Sequence, residues 1–268
     1  MKPARCLLGL LLGAMSAAGA GLTEGWQALA GYKAVQALAI FDQQAATGAP
    51  ALAREARFGH AVALLDKQPV SAAQLDEARG IFTALADGGA DDVAQGARFF
   101  LGRIAQHHQL QPDPAAAARQ FRRLIAEHGD SIWAQTALGR LALLELYALN
   151  PADPSAVRVT AAEKLLAGAR TPAAESDVHY AVANAIFFYR LPAAGALPHL
   201  LAAERLARLG WSERAEVLVQ IAELSRRGGD QRQAGELYRK FLVENPRDQR
   251  NFIVRQRLAA LDEVKVAP

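Results

Sequence analysis

Residues 218–246 read LVQIAELSRRGGDQRQAGELYRKFLVENP. Apolar or small residues recur at Leu218, Ile221, Ala222 and Ser225, and again at Ala234, Tyr238 and Phe241, which is the spacing of one face on each of two successive helices. Arg227-Gly228-Gly229-Asp230 between them is a tight turn, and Glu244-Asn245-Pro246 ends the second helix because proline cannot continue one. Two helices packed side by side need a small residue on one wherever the other supplies a ring. Ala222 and Ala234 are those small residues, and Tyr238, one turn beyond Ala234, lies on the same face as the cover.

The pattern recurs along the chain. An Ala followed four residues later by a bulky apolar residue occurs at Ala37/Phe41, Ala78/Phe82, Ala117/Phe121 and Ala162/Leu166, at intervals of 41, 39 and 45 residues, with 72 more to Ala234. Gly59 follows Ala37 by 22 residues, and Gly139 follows Ala117 by 22. This spacing resembles the tetratricopeptide repeat, with W-x₂-L-G-x₂-Y, A-x₃-F and a closing Pro, here Pro246. The resemblance implies an all-α fold: an α-solenoid of antiparallel helical hairpins, a TPR-like right-handed superhelix of about twelve helices. The turns at 66–73, 107–114 and 150–155 are longer than the family's, and residues 171–211 match only as two helices.

The expected organisation has three parts. Lys2 and Arg5, the apolar run from Cys6 to Met15, and Ala18-Gly19-Ala20 form a secretory signal peptide over 1–20, with cleavage before Gly21 and a periplasmic or secreted mature chain. The other reading is an uncleaved inner-membrane anchor, because Cys6 to Leu22 is at the bottom of the range of about 17–25 residues that spans a bilayer. The repeat domain follows over 21–246, and a capping helix and tail over 247–268, with Phe252, Leu258 and Leu261 facing inward and Arg250, Arg255 and Arg257 facing water. Removing residues 1–20 removes the one cysteine, so no disulfide forms. It also leaves 28 basic residues against 27 acidic ones, which gives no reason to expect nucleic acid as a partner. Residues 226–257 hold nine Lys or Arg and four Asp or Glu, a stretch that reads first as a solubilising end that stops end-to-end stacking, with docking of an anionic lipid or an acidic partner as the second reading.

Signatures of catalysis are missing: there is no P-loop, no G-x-G-x-x-G after a strand, no G-x-S-x-G and no H-E-x-x-H. His107-His108 are adjacent helical residues pointing about 100° apart, so no metal set is expected. Asp87-Gly88-Gly89-Ala90-Asp91-Asp92 lacks the spacing of a calcium loop and reads as a turn with a helix cap. No cofactor is expected.

Binding residues follow from the resemblance. With Gly59, Gly102, Gly139 and Ala222 as the small residues of the first helices, the family's ligand-contact positions on the concave face fall on His60, then Phe99, Arg103, Gln106 and His107. They continue with Trp133, Thr136 and Arg140, and end with Glu216, Glu223, Arg226 and Arg227. The carboxylate clamp for chaperone tails is not reproduced, because its positions hold Ala56, His60, Phe99 and Arg103. A closer likeness is to exported bacterial repeat proteins, the outer-membrane assembly lipoprotein and Tol–Pal-associated families. The lipidated Cys of the first and the coiled coil of the second are missing, so the likeness covers the repeat domain alone. The expectation is a non-enzymatic scaffold or adaptor of the bacterial cell envelope that holds a protein or peptide, with membrane contact only by proximity or through an uncleaved N-terminus. Two alternatives stand beside it. One is an envelope glycan hydrolase using Glu145, Glu163 or Glu175, which needs two carboxylates roughly 5–10 Å apart in a cleft. The other is self-assembly through an apolar Leu22–Phe41 end whose first helix is short or missing.

Overall fold

The computed structural model describes residues 20–47 and 49–264; the expected signal peptide up to Gly19 and the last four residues lie outside them. The described residues form thirteen α-helices and no strand. Two compact units divide the chain, Met1–Ala137 and Leu138–Pro268.

The first unit contains α1 (Ala20–Ala30), α2 (Ala34–Thr47), α3 (Pro50–Asp66), α4 (Ala72–Asp87), α5 (Asp92–Arg103), α6 (Pro114–His128) and the start of α7 (Ile132–Tyr147). A π-helical turn, Ile104–His108, extends α5. Local chemistry sets the helix starts. Ser71 and Gln74 form a reciprocal capping box on α4, and the Asp91 and Asp113 side chains accept the Ala94 and Ala116 amides. Proline opens α3 and α6, where a missing N–H costs nothing.

Each helix from α1 to α5 packs on the next, and α1 also touches α3, as α3 touches α5. Aromatic rings supplied by all seven helices fill the space between: Trp26, Phe41, Phe58, Phe82, Phe99, Phe100, Phe121 and Trp133. Phe58 alone meets Trp26, Phe82, Phe100 and Trp133 at centroid distances of 5.7–6.0 Å, and Phe82 stacks on Phe100 at 5.2 Å. Glycines make room for these rings. A Cβ on Gly59 would stand 2.5 Å from the Phe41 ring, one on Gly25 2.6 Å from the same ring, and one on Gly102 2.5 Å from Phe121. Ala37, Ala78 and Ala117 are fully buried beside them. The short α1 is present, and its Leu22, Trp26 and Leu29 are buried, while Tyr32 in the turn after it and Val35 at the start of α2 stay exposed.

Gly80, by contrast, is exposed on α4 with nothing within 4 Å of where a Cβ would stand. Gly80→Ala is therefore expected to stabilise the protein by about 0.5–1 kcal/mol through helix propensity and reduced unfolded-chain entropy, read as a higher denaturant midpoint.

The second unit contains the rest of α7, then α8 (Ser155–Glu163, extended by the 3₁₀ turn Lys164–Gly168), α9 (Pro172–Phe188), α10 (Ala196–Leu206), α11 (Trp211–Arg227), α12 (Gln231–Glu244) and α13 (Asn251–Val264). Successive helices pack from α8 through α13. Gly139 lets Asp177 approach α7, with the Asp177 Cβ 3.1 Å from where a glycine Cβ would be. Ala162 is fully buried, but its expected partner Leu166 is only half-buried, because the α-helix tightens to 3₁₀ after Glu163. At the C-terminal end Ala222, Ala234, Tyr238 and Phe241 pack with Val254 and Leu261 of α13. The turn from α11 to α12 needs Gly229, whose φ of +90° closes the Asp230 amide onto the Ser225 carbonyl at 2.9 Å. α12 ends at Glu244, just before Asn245 and the exposed Pro246. One expectation fails on α13: Phe252 is 72% exposed, and the inward stripe is Val254, Leu258 and Leu261.

Candidate functional site

In the first unit, several residues expected to contact a partner are core instead. Phe99 is fully buried and Trp133 is 4% exposed, their rings 5.6 Å apart in the aromatic cluster. Gly96 leaves the space that the Trp133 indole fills, and Asp92 accepts its N–H at 2.9 Å. Gln106 is buried in the π-helical turn. His60 lies between α2 and α4, its Nδ1 2.7 Å from Asp42 and its Nε2 3.4 Å from Glu77. The Thr136 hydroxyl bonds back to the Ile132 carbonyl of its own helix. Arg103 is half-buried and His107 is exposed, and Arg140, which belongs to the second unit, is half-buried. A groove of about 380 Å³ between α4, α5 and α6 holds Arg79, Arg98 and Arg123, each already paired with Asp76 or Glu127.

The second unit brings the remaining expected residues together. Glu216, Glu223 and Arg227 share one face of α11, spaced seven and four residues apart. Opposite them stand α13 and the loop before it. An open depression of about 500 Å³ is lined by Trp211, Ser212 and Glu216 on α11 and by Arg247, Asp248, Gln249 and Arg250 of the loop. Trp211 is 72% exposed.

Further along α11, four groups surround one carboxylate. The Tyr238 hydroxyl donates to Glu223 at 2.5 Å and Arg226 donates at 3.0 Å, while Arg257 of α13 is 3.5 Å away and Arg227 4.0 Å away. Burial opposes the charge of Glu223, but the Tyr238 hydroxyl, Arg226 and Arg257 outweigh it and hold the carboxyl below its ordinary value. Burial, then the bond to Glu223, pushes the Tyr238 phenol up. Asp248 takes three bonds from Arg250, at 2.8, 2.8 and 2.7 Å, and these lower its pKa to about 2. The face thus has two fixed clamps and a surplus of arginine: Arg226, Arg227, Arg247, Arg250 and Arg257 against Glu216, Glu223 and Asp248. Trp211 was missed in the sequence because it precedes the counted repeat positions, whereas Arg247 and Arg250 were read there as part of the basic, mainly solubilising end.

Glu163 and Glu175 are each turned to a different imidazole, Glu163 to His199 at 3.2 Å and Glu175 to His179 at 3.8 Å. Glu145 lies half-buried on α7. Among the described residues no group of three or more His, Cys, Asp or Glu is placed to hold a metal ion, and no helix is long and apolar enough to cross a membrane. No protein-family model matches the chain, and no curated protein matches it.

Proposed function

We propose that the protein is a non-enzymatic, TPR-like helical-repeat scaffold of the bacterial cell envelope, and that it binds a protein or peptide on the α11–α13 face. What supports the repeat reading is steric: glycine or alanine on one helix facing a ring on its neighbour, with α1, α3 and α5 also touching in series. The face itself is the observation that carries binding. An exposed tryptophan beside a surplus of arginine suits an acidic segment that also carries an apolar side chain, since Trp and Arg dominate binding hot spots and arginine pairs with carboxylates through two N–H groups. Export is proposed on the sequence of residues 1–20. Cleavage before Gly21 would keep Leu22, Trp26 and Leu29, and hence the core contacts of α1, in the mature chain.

The test is site-specific cross-linking in the native envelope, comparing wild type with Trp211→Ala/Arg227→Ala/Arg247→Ala. All three residues are exposed, so the variant keeps its core, whereas Phe99 and Trp133 would report only on folding. Loss of a hot spot worth about 2 kcal/mol weakens binding about thirtyfold, so the partner band is expected to vanish. Unchanged bands from a folded variant would remove this face from the reading.

A further inference from the structure

Outside the α11–α13 face, the second unit places two imidazoles in direct contact. Nδ1 of His179 on α9 is 2.9 Å from Nδ1 of His199 on α10, with ring centroids 5.1 Å apart. Both side chains are largely buried, 15% and 11% exposed. A carboxylate stands behind each ring: Glu163, the last residue of α8, is 3.2 Å from His199 Nε2, and Glu175, one turn before His179, is 3.8 Å from His179 Nε2. Arg205 of α10 is the other charge nearby, 4.0 Å from Glu175.

These distances assign the hydrogens. At 3.2 Å His199 Nε2 donates to Glu163, so in the neutral ring its Nδ1 carries a lone pair. His179 must then donate from Nδ1, which leaves a lone pair on its Nε2, in keeping with a Glu175 oxygen beyond hydrogen-bonding range. One further proton fits without rearrangement, on His179 Nε2 facing Glu175. A second does not. It would have to go to His199 Nδ1, and two N–H groups would then point at each other across 2.9 Å.

We propose that the His179–His199 pair is a proton-counting latch between α9 and α10, closed with none or one extra proton and opened by the second. Burial, and next His199, pushes His179 below the ordinary imidazole value; Glu175 opposes this and Arg205 adds to it. The folded state therefore binds protons less readily than the unfolded chain once pH falls below about 6.5, and stability in this segment is present above that value and declines on acidification.

The test follows both rings by NMR across pH in the full chain, with amide exchange along α9 and α10 read in parallel and EDTA present. The latch predicts two coupled titration steps. Opening, read as exchange corrected for its own pH dependence, should rise by up to about tenfold per pH unit where His179 alone separates the closed from the open state, and more steeply where the second proton binds only the open state. His199→Gln should flatten that rise. Glu175→Gln, which removes the charge that opposes the lowering at His179, should move the first titration step to lower pH, a shift that a purely structural contact would not show. Two independent single-site titrations with flat exchange would overturn the proposal. So would a pH response appearing only without EDTA and restored by zinc chloride, which would make the pair a cation site.

Discussion

Phe58→Ala is expected to cost the first unit about 3–5 kcal/mol, the range for emptying a buried aromatic position. The ring is 1% exposed and touches rings from α1, α4, α5 and α7, so its loss leaves a cavity bordered by four helices rather than one that a single neighbour can fill. The measurement is chemical denaturation followed by tryptophan fluorescence. Trp26 and Trp133 both contact Phe58, while Trp211 is exposed in the second unit, so the signal change on unfolding is dominated by the unit that carries the substitution. Phe252→Ala, at a ring 72% exposed, should stay within about 0.5 kcal/mol. A Phe58→Ala loss below about 1 kcal/mol would mean that the cluster is not the centre of this unit.

The part of this core readable in advance is the part set by local steric rules. Ala37/Phe41, Ala78/Phe82 and Ala117/Phe121 are all fully buried, because a small residue and a ring one turn apart on a helix must face the same neighbour. Gly59 and Gly102 were legible for the same reason. Gly25 was not recognised, although it precedes Ala37 by the offset that separates Ala222 from Ala234. Phe252 was assigned to the wrong side of α13 by a phase error: at 100° per residue it lies opposite the Val254, Leu258 and Leu261 stripe.

Site residues were harder to read, since a contact position names a place on a helix but not the direction its side chain takes. At Phe99 and Trp133 the deciding information is non-local: Gly96 opens a space on α5, and Phe58, 38 or more residues away in sequence, forms its other wall. A large ring entering that space gains far more by burial than by waiting in solvent for a partner. Charged positions kept their surface places, because a charge has no comparable gain in a core. Hence Glu216, Glu223, Arg226 and Arg227 stand on or beside the proposed face while the aromatics do not. The His179–His199 contact had no local signal, since its partners are 20 residues apart on separate helices.

Tyr238 separates packing from charge within one residue. Tyr238→Ala empties a fully buried aromatic site next to Ala222, Ala234 and Val254 and should cost about 3–5 kcal/mol. Tyr238→Phe keeps the ring and removes only the hydroxyl that bonds to Glu223, so about 1.5–3 kcal/mol is expected at neutral pH, the range for a hydrogen bond to a charged group. The two parts differ in pH dependence. Glu223 is held below its ordinary value in the folded protein, so its contribution is present above the unfolded carboxylate pKa of about 4.3 and is lost as pH falls through the lower folded value. Wild type and Tyr238→Phe should therefore begin to converge in stability once pH falls below the unfolded value, the gap closing as pH passes the lower folded one. The cavity cost of Tyr238→Ala relative to Tyr238→Phe involves no titrating group and should persist there. Urea titrations at pH 7 and at pH 3.5 measure both gaps. If the wild-type and Phe curves stay equally far apart at both pH values, the hydroxyl is not stabilising the Glu223 carboxylate, and the arginines Arg226, Arg227 and Arg257 would hold that charge unaided.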